Sequence, residues 1–301
     1  MKETDFKNQV VVVTGAGQGL GRAYAELFAS RGAAVVVNDT GFGEDGQALA
    51  DKVAEFIRAS GGEAVSIKES VAERDSVKRI VEGTLQRYGR IDALVHNAGI
   101  VRDRPILEMS DEAFNNVLNV HLYGSFYLLQ EIHPVMCRQD YGRIVLITSS
   151  AALHGVAAQT NYAAAKAGIF GLVQAYKEEL SGRNIHCNMV APLAVTQMTS
   201  ESINPDFHKF LKPEKVAPMV AYLCSKECTF SGCLYAAGAG YYGRIGIFWS
   251  NGVYFSNDTV SIEDIAENLE KISDMKNSTH ISSSIHSARK FMRNVFKQIN
   301  S

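Results

Sequence analysis

The segment TNYAAAKAG, residues 160–168, sets a tyrosine and a lysine four positions apart, Tyr162 and Lys166. In a helix, side chains at i and i+4 share one face. The alanines between them favour helix and keep bulk away. Two readings follow: an ordinary pair of surface polars, or a phenol whose proton is loosened by an ammonium. A free tyrosine titrates near pH ~10, a positive charge beside it favours the phenolate, and a base works best when it titrates near the working pH. What the pair can do depends on the elements that carry it.

A second candidate lies near the start, where a valine run enters TGAGQGLGRAYAELFASRG. Gly15, Gly17, Gly19 and Gly21 permit tight backbone paths and close approach to a ligand. A helix opening there aims free N–H groups and its positive dipole end at the loop. A glycine-rich turn alone is a weak signal, but here a strand precedes it and a helix follows, as a dinucleotide site requires. The next strand, AVVVND, ends in Asp39, twenty residues beyond Gly19. A carboxylate there suits the adenosine ribose hydroxyls and repels a 2′-phosphate. No arginine adjoins it, so NAD is favoured over NADP.

The elements that must hold these groups alternate. Val10–Val13, Ala34–Val37, Ala64–Ile67, Ala93–Val95, Ile144–Ile147 and His186–Val190 read as buried strands. Stretches such as Ala72 to Gly89 lie between them, with Val77, Ile80, Val81 and Leu85 at helical spacing. Strand and helix alternating without hairpins predict an α/β, doubly wound Rossmann domain: a parallel sheet with helices on both faces. After about residue 235 the pattern changes. Asn251-Gly252 between apolar runs predicts a hairpin. Ser261 with Asp264 in the capping-box position predicts a helix carrying Ile265, Leu269 and Ile272 on one face. A last helix carries Ile285, Ala288, Phe291, Val295 and Ile299, with Arg289, Lys290, Arg293 and Lys297 as a solvated face. The expected division is a dinucleotide-binding domain over 1–240 with the catalytic site built in, and a C-terminal hairpin and helical extension over 241–301 packed on it.

Composition sets bounds. The 301 residues carry a formal charge of −2, which argues against nucleic-acid binding. The five cysteines, Cys137, Cys187, Cys224, Cys228 and Cys233, form no regular framework and read as reduced thiols. The gaps in Cys224, Cys228 and Cys233 match no zinc pattern, so no metal is expected. The valine run near the start is too short for a signal peptide or a membrane span. The terminal KQINS is not an SKL-type peroxisomal address. A cytoplasmic location is expected, with a peroxisome as the alternative.

TGxxxGxG, HNAG (His96–Gly99), TSS (Thr148–Ser150) and YAAAK together resemble the short-chain dehydrogenase/reductase family over roughly residues 7 to 240. The resemblance implies that Tyr162 is general base or acid, that Lys166 binds ribose and lowers the phenol's pKa, and that Ser149, thirteen residues before Tyr162, holds the substrate oxygen. It settles the opening alternative in favour of a base and its tuner. It also implies a dinucleotide held by Gly15, Gln18, Gly19, Leu20, Asp39, Ser70, Val71, Asn97, Ala98, Gly99, Tyr162, Lys166, Pro192, Ala194, Val195 and Thr196. One departure stands out. VHLYG puts His121 where many members carry asparagine in VNLxG, so His121 is either a proton shuttle or a packed, non-titrating histidine.

A narrower likeness, in GRAYAELFASRGAAVVVND, HNAGIVRDR, VHLYGSF, GRNIHCNMVAP and LKPEKVAP, is to the dehydrogenase modules of peroxisomal type-2 multifunctional enzymes. It implies NAD-dependent oxidation of (3R)-3-hydroxyacyl-CoA, a homodimer or tetramer, and a separate hydratase as partner. An acyl-carrier-protein reductase, another alcohol or steroid dehydrogenase, and a silent NAD-binding scaffold are the alternatives. Residues 196–215 are expected to form a lid, with Phe207, Phe210 and Leu211 giving the site apolar lining and Lys209 and Lys212 some basic character.

Overall fold

Parallel strands buried on both faces read as unbroken apolar runs, and the valine-rich segments take that place in the structure. The computed structural model describes residues 4–200, 203–255 and 259–292. In chain order the elements are β1 (Val10–Thr14), α1 (Gly19–Ser30), β2 (Ala34–Asn38), α2 (Leu49–Ala59), β3 (Glu63–Ile67), α3 (Arg74–Tyr88) and β4 (Ala93–His96). There follow α4 (Asp111–Leu118), α5 (Gly124–Gln139), β5 (Gly142–Ile147), α6 (Ala151–His154), α7 (Thr160–Glu179), β6 (Ile185–Leu193), α8 (Ala217–Cys224), β7 (Leu234–Gly238) and β8 (Tyr241–Ile245).

The sheet order is β3-β2-β1-β4-β5-β6-β7-β8, with parallel pairing across every junction from β3 to β7. One row of the register runs Val36, Val12, Leu94, Ile144, Cys187, all buried. The order reverses between β1 and β4. At such a switch point the crossovers leave in opposite directions and a crevice opens outside the carboxyl ends of the strands. Gly15, Asp39, Asn97 and Ser149 follow the carboxyl ends of β1, β2, β4 and β5 at that edge.

The hairpin expected at Asn251-Gly252 is corrected. Gly252 does take a positive φ of 64°, but Phe248–Trp249 (β9) pairs antiparallel with Thr279–His280 (β10), not with the residues after the turn. The hairpin in this region is earlier. Ala239 (φ 53°) and Gly240 (φ 88°) join β7 to β8, and a two-residue link with positive φ at both positions turns the chain back on itself.

The chain divides into two compact units, Met1–Arg244 and Ile245–Ser301. In the second, Ser261 and Asp264 form the capping box that opens α9 (Ile262–Ser273). α10 spans Ser284–Phe291, and Phe291 meets the Trp249 ring at 5.3 Å between centroids. Arg293, Val295, Lys297 and Ile299 of the expected last helix lie outside the described residues.

Candidate active site

A cavity of about 470 Å³ sits at the carboxyl ends of the strands. Gly15, Gln18, Gly19, Leu20, Asp39, Ser70, Val71, Asn97, Ala98, Gly99, His121, Ser149, Tyr162, Lys166, Pro192, Ala194 and Thr196 all line it. Val195 does not. Its N–H donates to the Leu211 carbonyl at 2.7 Å, which ties the following segment down instead. A second groove of about 530 Å³ along α1 and α2 has Glu26 and Glu214 as its charged lining and no tyrosine or lysine beside them.

The glycine loop packs so closely that Gly15 and Gly21 leave no room for a side chain. A Cβ on Gly15, whose φ is +61°, would stand 2.6 Å from the Ala98 Cα. A Cβ on Gly21 would stand 2.0 Å from the Gly15 carbonyl oxygen. Asn97 donates through Nδ2 to that same oxygen at 2.9 Å. Thr14 Oγ1 accepts from the N–H groups of Asn97 and Ala98 at 3.2 Å each. The turn after β4 is thereby stitched to the turn after β1, and α1 begins at Gly19 with its free N–H groups facing the crevice edge.

Asp39 sits just past β2. Its Oδ2 accepts from the Gly17 N–H and its Oδ1 from the Gly41 N–H, both at 2.8 Å. An ionised carboxylate has about four acceptor sites, so each oxygen keeps capacity for a ribose hydroxyl. Among the described residues lining the cavity, the basic side chains are His121 and Lys166, and none is an arginine.

The catalytic candidates converge from β5, α7 and the helix pair α4–α5. Lys166 is buried, and its Nζ donates to the Ile147 carbonyl at 2.6 Å. Thr148 Oγ1 donates to the Lys166 carbonyl at 3.0 Å, so α7 is bolted to the end of β5. Burial pulls the Lys166 pKa down to about 7. Lys166 Nζ lies 5.5 Å from the centre of the Tyr162 ring.

The expectation that Lys166 lowers the phenol is corrected for the protein's own groups. Burial raises the Tyr162 pKa, the Ser149 hydroxyl pulls it back by hydrogen bonding, and the Asp103 charge adds to the rise, so the net direction is upward. An amine already drawn down to about 7 is a weak source of positive charge. Ser149 Oγ accepts from the Ala151 N–H at 3.2 Å, which leaves its own proton to donate.

His121 lies in a π-helical turn, Asn119–Tyr123, that links α4 to α5. Its ring meets Tyr162 edge-on, 5.1 Å between centroids. Its Nε2 is 2.8 Å from the Ile100 carbonyl oxygen, and its Nδ1 is buried without a partner. Burial, with the Lys166 charge nearby, holds its pKa well below the usual 6.5. An enclosed, neutral imidazole packed edge-on against Tyr162 is what the packed, non-titrating reading describes.

Motif reading missed Thr40, Glu69, Ile100 and Met198, which also line the cavity. Three adjoin named residues, Thr40 after Asp39, Glu69 before Ser70 and Ile100 after Gly99, and Met198 lies two past Thr196, so extending each motif by a residue or two would have found them. The expected apolar lining is corrected as well: Phe207 and Phe210 are about half exposed, Leu211 is buried, and none of them lines the cavity. Met198, Leu193 and Ile100 supply apolar lining instead.

A nucleotide cradle at the switch point and a Ser–Tyr–Lys set beside it define a dehydrogenase site. A family model described as short chain dehydrogenase matches residues 9–206, and the chain belongs to that family. It is therefore an oxidoreductase acting on a CH–OH group with a nicotinamide dinucleotide. A short-chain type dehydrogenase/reductase of Mycobacterium tuberculosis is 42% identical over 273 residues, covering 89% of this chain and 95% of the relative. Peroxisomal multifunctional enzyme type 2 of Mus musculus is 42% identical over 281 residues, 91% of this chain but 38% of the relative. The solved structure of the full-length Drosophila melanogaster enzyme of that name superposes with a TM-score of 0.83 at 36% identity, covering 98% of this chain and 50% of that one. Among the described residues no helix is long and apolar enough to cross a membrane.

Proposed function

We propose that the protein oxidises (3R)-3-hydroxyacyl-CoA to 3-oxoacyl-CoA with NAD⁺. The observation that carries the cofactor half is Asp39, a carboxylate fixed by two backbone N–H groups on a cavity wall that offers no arginine to a 2′-phosphate. The substrate half draws on the likeness to peroxisomal multifunctional enzyme type 2, which spans about nine-tenths of this chain.

Gly15, Gln18, Gly19 and Leu20 hold the pyrophosphate, Asp39 the adenosine ribose, and Asn97 to Gly99 the adenosine side. Pro192, Ala194 and Thr196 close on the nicotinamide end. Bound NAD⁺ supplies the hydride acceptor and a positive charge beside the phenol. Tyr162 takes the substrate's hydroxyl proton on Oη, and Ser149 Oγ donates to the substrate oxygen as it becomes a carbonyl. Lys166 bonds the nicotinamide ribose, and the positive charge of oxidised nicotinamide offsets the rise that burial imposes on Tyr162. His121 walls the phenol without exchanging protons.

Five free thiols, four of them buried, suit a reducing compartment and a cytoplasmic location. A homodimer and a separate hydratase complete the reading. Steady-state turnover with NAD⁺ against NADP⁺ tests it. The expected result is a preference for NAD⁺ of about tenfold or more in kcat/KM, the size of one lost ion-repelling contact. Reduction of 3-oxoacyl thioesters with NADPH alone would replace the reading with an acyl-carrier-protein reductase.

A further inference from the structure

Tyr162 is the third residue of α7, and its N–H is one of the donors that a helix leaves free at its start. An N-cap side chain ordinarily accepts from such a donor, but Gln159 at the cap makes no side-chain bond to the helix. Asn161 takes over. It is wholly buried, and its Oδ1 accepts from the Tyr162 N–H at 2.7 Å. Its Nδ2 donates to the Arg102 carbonyl at 2.9 Å and to the Ala113 carbonyl, more distantly, at 3.4 Å. One amide thus joins the first turn of α7, the start of α4 and the segment that follows cavity-lining Ile100. Two further bonds run beside it: the Arg104 N–H donates to the Ala158 carbonyl, and Gln159 Nε2 to Asp103 Oδ2, both at 2.8 Å.

We infer that Asn161 is the positioning residue for the reacting phenol, fixing Tyr162 against segment 101–104, which follows cavity-lining Ile100. The inference rests on the reading of Tyr162 as the base. An amide suits the position because it both donates and accepts while carrying no charge. The charged or titratable groups facing Tyr162 are Lys166 on α7, His121 on the π turn and Asp103 on the segment after Ile100. A carboxylate at 161 would add a second anion to Asp103 and press the phenol's titration upward.

The test compares Asn161→Ala and the near-isosteric Asn161→Asp with wild type, all saturated with NAD⁺. Phenol ionisation is followed by ¹³Cζ-tyrosine NMR, with the Tyr162 signal assigned by its loss in Tyr162→Phe. Asn161→Asp should move the titration up by about one pH unit, as expected for a new nearby anion at a part-screened site. Asn161→Ala should lower kcat by about ten- to a hundredfold, the effect of a small misplacement of a reacting group, with KM changed by less than about threefold. Unchanged titration in the first variant together with kcat within about twofold in the second would overturn the inference. So would loss of NAD⁺ binding in both, because Asn161 would then be a folding residue only. The NMR titration needs no turnover, so a wild type inactive on hydroxyacyl-CoA would overturn the proposed substrate and leave this result legible.

Discussion

Lys166 carries an amino group held in a place that disfavours its charge, and the size of that penalty can be measured. In the unfolded chain it titrates at 10.5, whereas burial brings it to about 7 in the fold. At about 1.4 kcal/mol per tenfold of proton affinity, keeping the ammonium inside costs about 5 kcal/mol when the group is protonated. Between those two pH values the unfolded chain binds more protons than the fold, so this group makes stability rise with pH across that window. Below pH ~7 the full penalty stands, and above pH ~10.5 it is gone. Replacing Lys166 by methionine removes the charge and keeps most of the length. It also strips the Ile147 carbonyl of its donor, a loss of about 1–3 kcal/mol. The net expectation at pH ~6 is a gain of about 2–4 kcal/mol, or a melting temperature higher by about 4–8 °C in a domain of this size. Thermal unfolding of nucleotide-free wild type and Lys166→Met from pH ~6 to ~10 reads it, and the gap should close as pH rises. The same variant should lose turnover. A variant no more stable than wild type at the acid end, or a gap that ignores pH, would refute the reasoning that burial governs this amine.

Two further substitutions probe the site from either end. Gly15→Ala forces a Cβ to within 2.6 Å of the Ala98 Cα at a positive φ; it should cost about 1–3 kcal/mol in thermal unfolding and abolish NADH fluorescence enhancement. His121→Asn, read in a pH–rate profile, should leave the acid limb of kcat/KM in place, because the imidazole is already neutral there. A limb that shifts with this substitution would reinstate His121 as a proton carrier.

Most of the sheet was legible because parallel strands buried on both faces leave long apolar runs in the chain, and Val10–Val13 and Ala34–Val37 are such runs. The cradle was legible because it depends on backbone space, and only glycine leaves that space at Gly15 and Gly21. What escaped was set at long range. Phe248–Trp249 takes its partner from Thr279–His280, about thirty residues on, and no local turn signal encodes that choice. Ala239 adopts a positive φ that its residue type disfavours, so the β7–β8 hairpin carried no warning. The direction of the Tyr162 shift also depended on burial by α4 and the segment around Asp103, which spacing within YAAAK does not reveal. His121 was ambiguous for the same reason, since its charge is decided by enclosure and not by its neighbours in sequence.

The most direct test of the account is NADH formation from matched (3R)- and (3S)-3-hydroxyacyl-CoA with NAD⁺, run beside Tyr162→Phe. The account predicts turnover of the R isomer alone, reduced in the variant by about a thousandfold or more, within the range of a lost acid–base group. Turnover of the S isomer, or an active Tyr162→Phe, would contradict it.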